Sequence, residues 1–304
     1  MISSVFDKTN PINYLVALLI FSVHYWFWFW AIGVEAYSIS ELLLFLGKLT
    51  VVSLGMLLVE FTVKKNQVSG KNTYVILLFT VFFGVFENHL YDSNTLLTLF
   101  FLLLAFRRIL SIRSLVSIKL KVFDASFWIL IASYFNPNAL YFFLILAFAI
   151  YFYQFEKLKN WLVILPAIGA YLLLVFAYLG IEEAQNFIDQ HYQFQINFGD
   201  LSFSKNHLVV LGFVFLGILA SIVTYRGLSR SLMGKLISIR LLLLSFMIAS
   251  FIALANHSNG QESIFLLFPV SVMFTNALEA IKKTWIKDLI FMGVMTLPFV
   301  LYSL

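Results

Sequence analysis

The stretch NTYVILLFTVFFGVFENHLYDSNTLLTLFFLLLAF, residues 72–106, places two apolar runs on either side of a short polar segment. Both runs are continuous, without alternation of apolar and polar residues, so they predict membrane helices and not strands. Two full crossings of a bilayer need about 40 residues before a turn is added, whereas this stretch has 35. The polar segment ENHLYDSN is therefore expected at or below the level of the membrane surface.

The composition of the whole chain indicates an integral membrane protein. Of its 304 residues, 62% are hydrophobic and 12% are charged, whereas a soluble domain carries about 25% charged residues. Lipid cannot satisfy exposed backbone N–H and C=O groups, so continuous apolar segments must cross it as helices. We therefore predict an all-α fold, a polytopic bundle of transmembrane helices. The chain contains no cysteine, which excludes disulfide and thiolate–metal chemistry.

A window of about 19 residues detects eleven candidate spans within a single membrane domain that covers residues 1–304. They cover residues 11–33, 39–62, 72–86, 94–106, 122–135, 139–155, 161–180, 207–225, 241–255, 263–278 and 289–304.

The distribution of basic residues predicts the orientation of these spans. With the N-terminus in the cytoplasm, 18 of the 20 Lys and Arg residues fall in inner loops. Only Lys205 falls in an outer loop, and Lys48 lies inside the second span. This asymmetry is typical of cytoplasmic loops, so we predict a bacterial inner-membrane protein with its C-terminus outside. The net charge of +5 follows from this bias and is no sign of nucleic-acid binding.

Two loop segments have an amphipathic pattern. Residues 107–121, RRILSIRSLVSIKLK, mix cations with Ile, Leu and Val and predict an interfacial segment on the cytoplasmic face. This segment is either a docking site for a partner or for lipid headgroups, or a charged connector that anchors the topology. Residues 181–206 place apolar side chains at helical spacing and predict an amphipathic helix on the outer surface, which can serve as a lid.

The outer side carries the residues with the most chemistry. Glu87, His89 and Asp92 lie in the recessed turn, where they can bind a divalent metal or act as acid and base. The alternative is that they are solvated turn residues in a locally thin bilayer. Lys48 and Glu41 are seven residues apart and share a helix face. Lys48 either binds an anionic group or pairs with a carboxylate to hold helices together.

The sequence resembles two kinds of membrane protein. FDKTNPINY (residues 6–14), RRILSIRS (107–114) and VFDASFWILIASYF (122–135) resemble an uncharacterised family of polytopic inner-membrane proteins of Bacteroidota. The number of helices, the cytoplasmic N-terminus and the acids of the outer loops are similar to polyprenol-dependent glycosyltransferases of the GT-C fold. The hairpin IASYFNPNALYFFLILAF (131–148) also looks like a helix pair of those enzymes.

The GT-C resemblance implies roles for particular residues. Glu35 and Glu41 would be the acids of the first outer loop, and Glu87 and Asp92 those of the second, with Glu87 or Asp92 as the catalytic base or metal ligand. A lipid-linked sugar phosphate needs cations or a metal beside it. Lys205 and Lys48 are the cations on that side, so the resemblance implies a divalent metal held by Glu87, His89 and Asp92.

Three functions remain open from the sequence. The first is a subunit or scaffold of a cell-envelope assembly or secretion complex, with membrane lipids and other membrane or envelope proteins as partners. The second is an outer-face glycosyltransferase that takes sugar from a polyprenyl lipid. The third is a transporter of small solutes.

Overall fold

The protein is an all-α bundle, described by a computed structural model over residues 2–31, 39–86, 92–193, 205–227, 233–255 and 261–303. Its helices run in chain order as α1 Ile2–Phe6, α2 Pro11–Ala31, α3 Ile39–Lys65, α4 Tyr74–Val85, α5 Ser93–Ser111, α6 Ile118–Phe135, α7 Phe143–Gln154, α8 Leu158–Leu162, α9 Ile164–Leu179, α10 Ile181–His191, α11 Lys205–Arg226, α12 Met233–Ala255, α13 Leu267–Ala280 and α14 Thr284–Ser303. Short 3-10 helices cover Ile112–Ser114, Pro137–Phe142 and Gln261–Leu266. The described residues contain no strand.

The chain is a multi-pass membrane protein. Eight of the described helical stretches are long and apolar enough to cross a bilayer, and a helix covers at least part of each of the eleven predicted spans. Several helices expose long apolar faces, as α3 does with Leu42, Leu43, Leu44 and Leu46. Contiguous exposed leucines on this scale are compatible with lipid and not with water.

Helix α4 is the centre of the bundle. All twelve of its residues are buried, and it packs against α2, α3, α13 and α14. Phenylalanine rings contribute to its packing: Phe83 meets Phe21 of α2 edge to face at 5.5 Å between ring centroids, and Phe82 meets Phe213 of α11 at 4.9 Å. Such aromatic pairs add about 0.5–1.5 kcal/mol each to area burial, so α4 is held by packing on every side.

Several helices extend beyond the predicted spans, always at a charged end. The hydropathy window ends α3 at residue 62 and α5 at residue 106, whereas the helices continue to Lys65 and Ser111. Helix α6 begins at Ile118, four residues before the predicted span. Lys and Arg side chains can bury their methylene stems and reach the interface with their charges, so a charge ends the apolar pattern without ending the helix.

Hydrogen bonds gather several predicted inner loops at one end of the bundle, which we call the basic end. The amide of Thr73 donates to the carbonyl of Phe6 at 2.9 Å, and the amide of Ser3 donates to Asp288 Oδ1 at 2.7 Å. Arg113 Nη1 donates to the carbonyl of Asn66 at 2.6 Å. The same end of the bundle therefore holds four chain segments, residues 3–14, 64–73, 107–121 and 279–288. This is what spans that alternate in direction require.

Candidate functional site

The described ends of α4 and α5, at Phe86 and Asp92, lie in a recess at the opposite end of the bundle. Gly84, in the last turn of α4, packs against the His24 ring, while α2 continues for seven residues beyond His24 to Ala31. Seven residues of helix rise about 10 Å. On the other side, Lys48 and Ser93 line one groove, and α3 begins nine residues before Lys48. The ends of α4 and α5 thus lie well below the ends of α2 and α3, in agreement with the length argument.

Asp92 caps α5 in this recess. Its side chain accepts hydrogen bonds from the amides of Asn94 at 3.1 Å and Thr95 at 3.3 Å, and from the Thr95 hydroxyl at 2.5 Å. Both carboxylate oxygens are therefore engaged with the first turn of the helix. An Asp at this position satisfies backbone N–H groups that have no partner within the helix, which gives Asp92 a structural role.

The structure also brings Lys48 and Asp92 together. Asp92 is close enough to act electrostatically on the half-buried Lys48 ammonium, and Lys48 lines a mostly apolar groove of about 350 Å³ with residues that include Val51 and Leu96. The two roles that the sequence left open for Lys48, binding an anionic group and pairing with a carboxylate, both stay predictions. Glu41 lies in the first turn of α3, about 10 Å further along the helix axis.

The remaining residues of the predicted outer site cannot be placed against Asp92. Glu87 and His89 lie outside the described residues, as does Glu35, so the metal set of Glu87, His89 and Asp92 stays a prediction. Lys205 is the first residue of α11, but its side chain also lies outside the described part. Within the described part of the chain, no group of three or more His, Cys, Asp or Glu could hold a metal.

The predicted amphipathic helix of residues 181–206 is present over Ile181–His191 as α10. It packs on α9, with Ala184 fully buried. Its C-terminal end is tied to α6, because His191 Nε2 contacts the carbonyl of Ser133 at 2.8 Å and Tyr192 Oη contacts Ser133 Oγ at 3.0 Å. These contacts place α10 over the end of α6.

At the basic end, three separate segments form a cavity of about 460 Å³, which we call the basic cavity. The segments are the C-terminal end of α3, the C-terminal end of α5 with its 3-10 turn, and the first turn of α6. The lining residues are Lys65, Asn66, Gln67, Arg107, Arg108, Ser111, Arg113, Ser114, Val116, Ser117 and Lys121.

Hydrogen bonds to neutral groups hold two of the five lining cations. Lys121 Nζ donates to the carbonyl of Ser111 at 2.7 Å and to Ser114 Oγ at 2.6 Å. Arg113 Nη1 donates to the carbonyl of Asn66, which joins the end of α3 to the 3-10 turn. These bonds fix the positions of the two cations and leave their charges uncompensated.

Two further cations lie against an aromatic ring. The Arg107 guanidinium lies 4.8 Å and the Lys65 ammonium 5.1 Å from the centroid of Phe61. A ring face attracts a cation by about 0.5–1 kcal/mol at an exposed site, so Phe61 orients both groups without neutralising them.

The charge of the basic cavity is strongly unbalanced. None of its described lining residues is an Asp or Glu, and the ion pair of Arg108 Nη2 with Asp124 Oδ2 at 2.7 Å is the one salt bridge found at a lining cation within the described ranges. Lys121 precedes the predicted span of residues 122–135. Burial, followed by the positive charges of Arg108 and Lys65, lowers the pKa of the Lys121 ammonium. The cations therefore repel one another, and a bound anion would relieve that repulsion.

Sequence reasoning identified part of this cavity. The segment of residues 107–121 was predicted as an interfacial docking segment or a connector. In the structure it is the end of α5, a 3-10 turn and the start of α6, with no separate surface helix. The contribution of Lys65, Asn66 and Gln67 was missed, because nothing local in the sequence links the end of α3 to a turn more than 40 residues later.

Comparison of the chain with the models of protein families, with curated proteins and with solved structures gives no match. The resemblances to the Bacteroidota family and to the GT-C fold therefore remain predictions from the sequence.

Proposed function

We propose that this multi-pass membrane protein binds a phosphate-bearing anion in the basic cavity. The observation that carries the proposal is the convergence of five fixed cations on one cavity that no described acid lines. Arg guanidinium groups offer paired N–H donors that match phosphate oxygens, and Lys supplies a point charge. Ser111, Ser114 and Ser117 add hydroxyl groups at the same wall.

The test compares two double variants of the full-length chain in detergent. Lys65→Gln with Arg107→Gln removes two lining charges, whereas Lys157→Gln with Lys159→Gln removes two charges that do not line the cavity. The probe is phosphatidylglycerol, and bound lipid is counted by native mass spectrometry. Hydrogen bonds to charged groups contribute about 1.5–3 kcal/mol each, so the lining variant should lose at least tenfold in affinity. Equal affinity of both variants would contradict the proposal.

The biological setting of this binding site is also a proposal. We place the protein in a bacterial inner membrane with the basic end in the cytoplasm, as a subunit or scaffold of an envelope assembly. Anionic lipids of the cytoplasmic leaflet attract basic segments by about 1 kcal/mol per Lys or Arg. An impermeant thiol reagent should label a cysteine introduced at Ser93 in spheroplasts and should not label one introduced at Ser69. The reverse labelling pattern would show that the protein has the opposite orientation in the membrane.

The subunit role is tested by purification from the native membrane in mild detergent, with mass spectrometry of the proteins and lipids that are retained. A partner chain in constant stoichiometry supports the role. Its absence at every detergent concentration that keeps the fold counts against it.

The glycosyltransferase remains a second candidate because of the recess that contains Asp92 and Lys48. A polyprenyl phosphate that is retained by the purified protein and lost in the Glu87→Gln variant would favour the enzyme. Retention of that lipid by Glu87→Gln and its loss on Lys65→Gln would instead assign the phosphate to the basic cavity.

A further inference from the structure

The rim of the basic cavity is apolar as well as charged. The turn that leads into α6 exposes Leu115, Val116 and Leu120, of which 54%, 65% and 66% of the surface is accessible. Val116 itself lines the cavity, beside Arg113 and Lys121. Three large apolar side chains within six residues are a poor surface for water, but at a bilayer surface they can insert among lipid chains.

The backbone of this turn is strained at two positions, on either side of the exposed Val116. Leu115 has φ of 56° and Ser117 has φ of 50°, both in the left-handed region. A residue other than glycine pays about 1–2 kcal/mol for this conformation. The two residues reverse the chain between the 3-10 turn and α6, with Val116 between them. Glycine would remove the strain, but it would also remove the apolar side chain of Leu115.

The other side of the cavity is apolar too. Phe61 lies one helical turn from Lys65 on α3, is 42% accessible, and carries Lys65 and Arg107 on its ring. Two cations of the cavity, Lys65 and Arg107, thus lie against the apolar ring of Phe61, and the cavity is also lined by Val116 of the exposed turn. A free phosphate ion matches only the cations, whereas an amphiphile matches both the charge and the apolar rim.

We infer that the ligand of the basic cavity is an anionic phospholipid of the adjacent leaflet, with its phosphate among the cations and its chains beside the inserted turn. This inference rests on the proposed function and adds the source of the phosphate. The turn of residues 115–120 is then a membrane anchor that presents the cavity to headgroups. Charge complementarity selects the phosphate, and the apolar rim selects a lipid.

The experiment measures two probes on the full-length chain in detergent micelles: dioleoyl phosphatidic acid and its soluble counterpart, sn-glycerol 3-phosphate, which carries the same phosphate monoester. Leu120→Ser, at a residue of the apolar rim that does not line the cavity, should weaken lipid binding about three- to tenfold, the value expected when a partly inserted Leu side chain is lost. It should leave the weaker binding of glycerol phosphate unchanged. Leu158→Ser is the matched control, because Leu158 is 74% accessible near the same end and does not line the cavity.

Leu115→Gly separates anchoring from folding. Glycine relieves the left-handed strain at residue 115, so this variant should keep its thermal stability while losing lipid affinity by a similar factor. Unchanged lipid affinity in Leu120→Ser and Leu115→Gly would overturn the inference, as would binding of glycerol phosphate as tight as that of the lipid. Failure of the wild-type chain to bind either probe would refute the proposed function itself.

Discussion

Replacement of Gly217 by alanine tests the packing of α11 on α12. A Cβ atom at Gly217 would lie 2.3 Å from Cε2 and 2.6 Å from Cζ of Phe246. Phe246 is only 5% accessible, so its ring cannot move into open space. Gly212 lies on the same helix, and a Cβ atom there would have no atom within 4 Å. The two substitutions are chemically identical and differ in what the added methyl group meets.

The expected change in the free energy of unfolding follows from two opposed effects. Glycine to alanine in a helix interior gains about 0.5–1 kcal/mol of stability, which both variants receive. Overpacking of a closely packed interior costs about 1–3 kcal/mol, which only Gly217→Ala should pay. We therefore expect Gly217→Ala to be about 1–3 kcal/mol less stable than Gly212→Ala, which should itself be slightly more stable than the wild type.

The assay is thermal unfolding in one detergent at one scan rate. Unfolding is monitored by the fluorescence of the six tryptophans. For a chain of this size, about 2–4 °C of Tm corresponds to 1 kcal/mol, so Gly217→Ala should melt about 2–12 °C below Gly212→Ala. Phe246→Leu in the same chain should return part of the loss by making room for the methyl group. Equal Tm values for Gly217→Ala and Gly212→Ala would refute the predicted contact.

Two further predictions concern the basic end. Asp124→Asn removes the carboxylate that pairs with Arg108. A partly exposed pair contributes about 0.5–1 kcal/mol, so phosphatidylglycerol should bind this variant about two- to fivefold tighter in the native mass spectrometry assay. Weaker binding would contradict the argument that uncompensated positive charge attracts the lipid. Glu279 accepts from the amide of Gly70 at 2.8 Å and from Asn72 Nδ2 at 2.6 Å. Glu279→Ala should therefore lose about 2 kcal/mol in the thermal assay, and Glu279→Gln should lose less because its amide oxygen still accepts.

The ends of α4 and α5 show how far simple length arguments reach. The count of 35 residues for two crossings predicts a turn below the membrane surface, and this depth stays a prediction because the turn lies outside the described residues. The structure places the end of α4 beside His24 and the start of α5 in one groove with Lys48. The count did not predict that α4 is buried on all sides, because a uniformly apolar helix looks the same whether lipid or protein surrounds it.

Asp92 and Lys48 show the limit of residue types as indicators of chemistry. A carboxylate beside a polar turn predicts a base or a metal ligand, and that role of Asp92 stays a prediction; the structure shows in addition that both oxygens of Asp92 cap α5. Asp is a preferred helix cap, and Asp92 directly precedes the apolar run of α5, so the sequence did contain this signal. The proximity of Lys48 to Asp92 was not visible there, since 44 residues separate them.

The amino-acid sequence by itself determined that the chain is a bundle of membrane helices with its cations concentrated at the ends of particular helices. Transfer of each side chain between water and lipid is a local property, so hydropathy and charge can be read along the chain without knowledge of the fold. Only the tertiary structure decided that Lys65 of α3 faces Arg107 and Lys121 across one cavity. That meeting depends on which helices pack as neighbours and in what register, and these are set by side-chain contacts between segments distant in the sequence.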